Sequence, residues 1–278
     1  MTKRLPLGAL LLSSHPVPGA AVTLVTAVLA AAVGLDLRRI VVLTIVMAAD
    51  QLAVGWSNDA IDAERDTASG RTDKPVASGR IDRVIVARAS LIAAAASVAG
   101  AFTLGIAAGG WHAVFLMSAI AYNAGLKRTI LSVLPYAVSF GLLPVLVAAA
   151  ADPSRIASGW AIGAGALLGV AAHFANVLPD LDDDERTGVR GLPHRIGARP
   201  TGLLAFLALL AAAVLVATGA STGGTALALI AVEVISVVGV ILVVRRSFGR
   251  ILFVLILLSA VALVVGLSFA GSALSAPA

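Results

Sequence analysis

The 278-residue chain has no cysteine, few aromatic residues and few charged ones. Without cysteine it can form no disulfide bond, no thiolate metal site and no thiol nucleophile. Charged residues make up only 13% of the chain and aromatic residues 5%, whereas 59% of the residues are hydrophobic. Such a chain has too few polar side chains to cover the surface of a water-soluble globule. The composition therefore predicts an integral membrane protein.

Apolar runs of membrane-spanning length recur along the sequence. A transmembrane helix needs about 20 mostly apolar residues. On this basis we predict an all-α integral membrane fold in which nine transmembrane helices form a single bundle, one domain over residues 1–278. The nine predicted runs are 17–34, 40–56, 84–109, 111–126, 129–150, 156–179, 200–219, 224–244 and 251–271. The fourth run is the shortest of them.

The lysine and arginine residues predict how this bundle is oriented. If the N-terminus is cytoplasmic, most of the 20 positive residues fall on the cytoplasmic side, and the opposite side receives only Arg38, Arg39 and Arg155. Positive residues accumulate on the cytoplasmic side of membrane proteins. We therefore predict a multi-pass protein of the cell membrane with its C-terminus outside and cytoplasmic cap loops after helices 2 and 6. The net charge of +5 fits attraction to anionic lipid, and the sequence predicts no nucleic-acid binding.

Most of the acidic residues lie in two strings, one on each of these loops. In the first string, Asn58, Asp62 and Asp66 are spaced i, i+4, i+8. In a helix these three side chains form one stripe, and we expect Asp59 and Glu64 to point elsewhere.

The second string repeats the same spacing with Asn176, Asp180 and Asp184. Each string alone could be a solvated acidic loop or a helix cap, but two matched strings favour a bound cation. Carboxylate and amide oxygens without imidazole or thiolate suit Mg²⁺, which usually completes its octahedron with waters and substrate phosphates. The pattern therefore predicts a magnesium site that takes a phosphorylated ligand.

Basic residues follow each string on the same side of the membrane. Arg71 and Lys74 follow the first string, Arg190 follows the second, and Lys127 closes the fourth helix. Alone, each would be interpreted as an orienting charge. Next to the acidic strings they are candidates for holding the diphosphate oxygens that the metal leaves free.

Together these motifs resemble the paired aspartate motifs of the UbiA superfamily of intramembrane prenyltransferases. The resemblance rests on N-D-x-x-D-x-x-x-D at 58–66 with R-x-x-K-P at 71–75, and on N-x-x-x-D-x-x-x-D at 176–184 with G-L-P-H-R-I-G at 191–197. It covers nearly the whole chain, since that family also has nine helices and a cytoplasmic cap.

The resemblance implies Mg²⁺-dependent transfer of a polyprenyl group from an allylic polyprenyl diphosphate to a lipophilic, aromatic, quinone-precursor-like acceptor. It implies two Mg²⁺ ions, in which the metal residues are Asn58, Asp62, Asp66, Asn176, Asp180 and Asp184. The four aspartates at 62, 66, 180 and 184 are the implied catalytic residues. The implied diphosphate-binding residues are Arg71, Lys74, Lys127 and Arg190. Metals and cations at such a site stabilise the negative charge that grows on the leaving group.

Several polar residues are candidates for contacting the acceptor or supporting the metal residues. The family often has Tyr-x-x-x-Lys, whereas Tyr122 lies five residues before Lys127 and Asn123 has the family's spacing. Either the helix unwinds there, or Asn123 replaces the tyrosine. Asp50 and His173 lie within predicted helices, where ionisable residues are usually functional or paired. Where many relatives have Arg-Pro near the acceptor, this chain has His15 before a proline.

Three other interpretations stay open at this point. A terpene cyclase of the same superfamily would use the prenyl diphosphate without an acceptor, and another relative transfers the prenyl chain to a phosphorylated sugar. A divalent-cation transporter is the alternative from a different class. A transporter needs acidic groups along a path through the membrane, and here only Asp50 and Glu233 lie within predicted helices.

Overall fold

The computed structural model describes residues 6–181, 188–220, 222–245 and 250–277, apart from the side chains of Asp180 and Arg250. Within these ranges it has nine long helices, which confirms the predicted all-α bundle. They are α1 (Pro16–Val33), α2 (Leu37–Ala68), α3 (Arg83–Phe102), α4 (Ile106–Ala124), α5 (Leu134–Ala149), α6 (Gly159–Val177), α7 (Ala198–Gly219), α8 (Gly223–Val244) and α9 (Arg250–Phe269). Two short helices, Leu7–Leu12 and Leu192–Ile196, lie outside this set.

Among the described residues, eight helices are long and apolar enough to cross a membrane by length and composition. The ninth long helix is α4, which corresponds to the shortest predicted run and packs against α2, α3 and α5. The protein is therefore a multi-pass membrane protein.

Helix α2 continues well beyond the apolar run that predicted it. Its 32 residues span about 48 Å, which exceeds the roughly 30 Å hydrocarbon thickness of a bilayer. Asp36 caps its first turn by accepting a hydrogen bond from Arg39 N at 3.0 Å. The last turns of α2 carry the first acidic string, so that string is helical, as predicted.

The nine helices pack in a closed arrangement. Neighbours along the chain contact each other, and α9 packs against both α1 and α6, which closes the bundle. Small residues allow the closest approaches: a Cβ at Gly169 would lie 2.2 Å from Tyr136 O, and a Cβ at Gly55 would lie 2.0 Å from Ser14 O. The segment before α1 therefore lies directly against α2.

The second acidic string does not continue as an α-helix through the described residues. Helix α6 ends at Val177, and a 3₁₀ turn follows over Leu178–Asp180. Pro179 has no N–H to donate and its ring opposes a continuing α-helix, which accounts for the change. The predicted α-helical spacing is therefore interrupted between Asn176 and Asp180, and the rest of the predicted stripe, residues 182–187, lies outside the described part.

A small two-stranded sheet lies at the end of the bundle away from the first string. Strand β1 (Arg155–Ala157) pairs antiparallel with β2 (Ser275–Pro277). Arg155 also donates a hydrogen bond to Val33 O at 3.0 Å, at the end of α1. The chain's last residues are thereby attached to the loop between α5 and α6.

Candidate active site

The first acidic string buries three aspartates on one face of α2. Asp59, Asp62 and Asp66 are only 1–2% exposed. Their spacing of i, i+3, i+7 places them on neighbouring turns of the same face. The expectation that Asp59 points elsewhere is therefore wrong, whereas Glu64 is exposed and pairs with Arg83 at 2.6 Å, as a side chain on another face should.

Lys127 brings the turn after α4 onto this face. Its ammonium donates a hydrogen bond to Asn58 Oδ1 at 2.9 Å and directly contacts Asp62 Oδ2. Arg65 reaches the same Asp62 oxygen at 2.9 Å and Asp66 Oδ1 at 3.0 Å. Burial lowers the pKa of Lys127, and the neighbouring Asp62 opposes this shift. The predicted metal and diphosphate residues thus lie in direct contact.

Lys74 also contacts the buried aspartates, from the loop after α2. Its Nζ lies 2.7 Å from Asp66 Oδ2 and 3.7 Å from Asp59 Oδ1, and the residue is 8% exposed. Arg71 lies further out and pairs with exposed Asp73 at 2.9 Å. Hydrogen bonding from Arg71 is the main reason that the pKa of Asp73 falls to about 2.

Some carboxylate oxygens of this face are unused. Within the described residues, Asp59 Oδ2 and Asp62 Oδ1 are buried and accept no hydrogen bond. Buried polar atoms normally have partners, and hard oxygens suit Mg²⁺. The described part contains no group of three or more His, Cys, Asp or Glu placed to hold a metal. The face offers oxygen ligands that fit Mg²⁺, and these ligands belong to the first of the two predicted strings.

The other half of that set belongs to the second string. Asn176 is exposed in the last turn of α6. The side chain of Asp180 and the whole of Asp184 lie outside the described residues. Arg190 is exposed on the segment that leads into the short helix Leu192–Ile196.

Ser132 joins the flank of the second string to the turn that carries Lys127. Leu192 N donates to Ser132 Oγ at 2.9 Å, and this hydroxyl lies 3.0 Å from His173 Nε2. A Cβ at Gly191 would lie 2.7 Å from Lys127 O, so only glycine fits between these segments. The segment after the second string therefore lies at the same end of the bundle as the first string.

The spacing problem around Lys127 has a simple structural answer. Helix α4 ends at Ala124, and Lys127 lies on a 3₁₀ turn after Gly125, so helical spacing does not relate Lys127 to Tyr122. Asn123 donates to Val54 O at 2.9 Å and Ser57 Oγ at 2.7 Å, and so binds α4 to α2. The helix therefore ends before Lys127, which agrees with the first of the two expectations, that the helix unwinds there.

The other acceptor candidates form two separate groups. The Tyr122 ring lies edge-on to Tyr136 and to His173, with centroid distances of 5.2 and 5.8 Å. Asp50 is fully buried in α2, accepts from Gln51 at 2.9 Å and lies 3.6 Å from His112 Nε2. The ring cluster contacts Ser132 through His173. Asp50 lies on α2 about two helical turns before Asn58, and so deeper in the membrane than the first string.

Four residues that make contacts at or near the site were not predicted from the sequence. Arg65 and Asp59 could have been found, since each is three residues from Asp62 on a helix. Ser132 and His112 carry no signal in the sequence, because their partners lie on distant segments.

A cavity of about 300 Å³ borders the first string at Asp59 and the following loop at Lys74. His15, which precedes α1, has a φ of +51°, a conformation uncommon for residues other than glycine. Burial, followed by the charge of Lys74, lowers the pKa of His15 and favours its neutral form. The cavity is lined by Leu12, His15, Pro16, Val17, Pro18, Asp59, Asp73, Lys74 and Pro75.

The chain belongs to the UbiA prenyltransferase family, whose model matches residues 20–252. The protein is therefore an enzyme of the prenyltransferase class. No curated protein matches the chain in sequence.

Solved structures of UbiA homologues share this fold. A homologue from Archaeoglobus fulgidus bound to DMAPP and Mg²⁺ has 15% identity and a TM-score of 0.67, covering 92% of this chain and 97% of its own. The apo homologue from Aeropyrum pernix K1 has 18% identity and a TM-score of 0.63, with coverage of 94% and 98%. A structure described for digeranylgeranylglyceryl phosphate synthase has 13% identity and a TM-score of 0.67, also with coverage of 94% and 98%.

Proposed function

We propose that this protein transfers a polyprenyl group from an allylic polyprenyl diphosphate to a lipophilic aromatic acceptor, with Mg²⁺ at the two acidic strings. The observation that carries the proposal is the buried face of α2, where Asp59, Asp62 and Asp66 meet Lys74 and Lys127. Two structures of the Archaeoglobus homologue are described as bound to a prenyl diphosphate and Mg²⁺. Their likeness to this chain supports the same use of this end of the bundle.

The proposed metal residues are those of the two strings. Asn58, Asp62 and Asp66 would hold one Mg²⁺, and Asp62 Oδ1, which accepts no hydrogen bond from the described residues, would be one of its ligand oxygens. Asp180 and Asp184 would hold a second ion with Asn176 in support, as the family resemblance implies. When bound, the metal neutralises charge on the diphosphate and polarises it as a leaving group.

Lys74 and Lys127 then have a second role in the proposed reaction. Both ammonium groups already lie within the carboxylate face, with exposures of 8% and 6%. Turned toward a diphosphate, they would stabilise the charge that develops as the C1–O bond breaks, and Arg71 and Arg190 would contact its outer oxygens. The electron pair of that bond leaves with the diphosphate. The acceptor carbon attacks the resulting allyl cation and afterwards loses its proton.

The cavity beside Asp59 is the proposed place for the acceptor's ring. Its volume of about 300 Å³ suits a small ring system, and it shares Lys74 and Asp59 with the carboxylate face. A neutral His15 can hydrogen-bond to a hydroxyl group but carries no positive charge to pair with an anion. It therefore favours an acceptor with a hydroxyl group over a negatively charged acceptor. In this arrangement the prenyl chain would pass the Tyr122, Tyr136 and His173 rings, whose faces can stabilise a cation.

The cytoplasmic position of the site is also part of the proposal. The distribution of lysine and arginine supports a cytoplasmic position for the first string and the N-terminus. Strand β2 lies at the opposite end of the bundle from the first string, which fits a C-terminus outside the cell.

Product analysis with the purified protein tests this function. Allylic diphosphates of several lengths are incubated with Mg²⁺, with and without a membrane lipid extract, and released diphosphate and prenylated products are measured. We expect release that requires both Mg²⁺ and acceptor. A cyclic terpene formed without extract would instead identify a cyclase.

Two variants of the same string make the test specific. Asp62→Ala should abolish turnover, because it removes a buried metal ligand. Glu64→Ala is the matched control: this residue is exposed and pairs only with Arg83 among the described residues, so activity should stay near wild type. Full turnover by Asp62→Ala would show that the metal assignment is wrong.

A further inference from the structure

Glu233 lies at the centre of a membrane-spanning helix and faces outward. It is the eleventh of the 22 residues of α8, about 15 Å from either end. Its side chain is exposed on the outer surface of the bundle. It makes no hydrogen bond or ion pair with any residue that the structure describes. A single chain therefore presents a carboxyl group to the middle of the hydrocarbon layer.

This arrangement is unfavourable for an isolated chain. Acidic residues at the centre of a transmembrane helix are costly, are rare, and almost always face a bundle interior, a water-filled cavity or a partner. In hydrocarbon a carboxyl group needs a hydrogen-bond partner, because no water is present to supply one. The exposed position of Glu233 on α8 thus points to a partner outside the chain.

The surface around Glu233 has the spacing of a helix-packing stripe. Ile230, Val237, Ile241 and Val244 lie at intervals of three or four residues with Glu233 among them, and each is 46–55% exposed. Such intervals align side chains along one face, the pattern of helices that pack side by side. The stripe is apolar apart from its one carboxyl, so its partner needs an apolar face and one hydrogen-bonding group at the same depth.

A second copy of this chain meets both conditions. Two copies inserted with the same orientation and related by a two-fold axis along the membrane normal bring identical residues to the same depth. Glu233 then opposes Glu233, and the two carboxyl groups can hydrogen-bond to each other. We propose that the protein forms a symmetric dimer in the membrane through the outer face of α8, held at its centre by a Glu233–Glu233 pair.

Cysteine crosslinking tests this dimer cleanly, because the chain has no cysteine of its own. Val237→Cys places one thiol a turn from Glu233 on the same stripe. Leu207→Cys is the matched control: it is similarly exposed, at 53%, but lies on α7. After mild oxidation of native membranes, we expect a crosslinked dimer from Val237→Cys and monomer from Leu207→Cys. Monomer from both variants, equal crosslinking in both, or a product whose mass is not twice that of the chain would overturn the proposal.

Replacement of the carboxyl separates its role from that of the apolar stripe. Polar contacts between transmembrane helices contribute modestly, so Glu233→Leu should weaken association by about 5- to 30-fold, measured by energy transfer between labelled chains diluted in liposomes. Glu233→Gln keeps a donor and an acceptor and should associate as the wild type does. Equal association of all three proteins would refute the Glu233 pair. None of these measurements depends on the proposed enzymatic reaction.

Discussion

Replacing Lys127 with methionine removes the central cation of the carboxylate face while keeping the length of the side chain. In the structure this ammonium contacts Asp62 and donates to Asn58 Oδ1 at 2.9 Å. Lys127 is 6% exposed and Asp62 1%, so solvent screens their contact weakly. The substitution leaves a buried carboxylate with less compensation.

The expected loss of stability follows from that burial. Removing one partner of a buried ion pair costs about 3–5 kcal/mol. Arg65 stays 2.9 Å from the same carboxylate oxygen. We therefore expect the lower end of that range, about 3 kcal/mol, for Lys127→Met. The neighbouring Arg128 is 48% exposed and 3.9 Å from Asp62, so Arg128→Met should cost about 0.5 kcal/mol or less.

Equilibrium unfolding in mixed micelles without Mg²⁺ measures these differences. The same measurement on Asp62→Asn and on the double variant Asp62→Asn/Lys127→Met completes a double-mutant cycle. Because asparagine leaves no charge to compensate, the second substitution should then cost little, giving a coupling energy of about 2 kcal/mol. Additive effects, or equal losses in Lys127→Met and Arg128→Met, would contradict the assigned ion pair.

Three further predictions concern the segments that surround this pair. Gly191→Ala should lower stability by about 1–3 kcal/mol, because its Cβ would lie 2.7 Å from Lys127 O; Gly159→Ala, whose Cβ meets open space, should cost nothing or gain up to about 1 kcal/mol in the same unfolding assay. Asn123→Ala should cost about 2 kcal/mol, because it removes the two hydrogen bonds that Asn123 donates from α4 to Val54 O and Ser57 Oγ on α2; an unchanged free energy of unfolding would contradict the anchoring role. Arg71→Gln should raise the pKa of Asp73 from about 2 toward the ordinary value near 3.9, measured by carboxyl NMR; a value that stays near 2 would show that Arg71 is not its cause.

The helices were predictable wherever hydropathy decides the structure. The bundle, the helix number among the described residues and the weak apolar character of α4 follow from the lengths of the apolar runs. The ends of the helices were harder to predict from the sequence. The third run was expected to reach residue 109, but α3 stops at Phe102, because a turn of mostly apolar residues before Gly105 breaks the helix without lowering hydropathy. Conversely, α2 continues through polar residues that end the apolar run at 56.

At the site, spacing along one helix predicted the contacts within that helix and none of the others. Asn58, Asp62 and Asp66 do form a stripe, but counting in fours overlooked Asp59, which the i+3 spacing brings to the same face. The contact between Ser132 and Leu192 joins residues 60 positions apart, and no local pattern encodes such a pair. Lys127 was expected at the site from its position after the fourth helix, yet its contact with Asp62 depends on the turn that follows Gly125.

Charge balance explains why carboxylates and lysines occur together at this site. Three negative charges lie below the surface, on Asp59, Asp62 and Asp66. Three positive charges pair with them, on Lys74, Lys127 and Arg65. If Mg²⁺ alone bound the carboxylates, it would displace the lysines and leave their ammonium groups buried without partners. If a diphosphate alone bound the lysines, it would leave the carboxylates buried without partners. Under the proposed function, metal and diphosphate enter together, so that each group of the chain exchanges one partner of opposite charge for another. Under this proposal, a site of this composition would favour the metal-diphosphate pair over either component, because only the pair leaves no buried charge uncompensated.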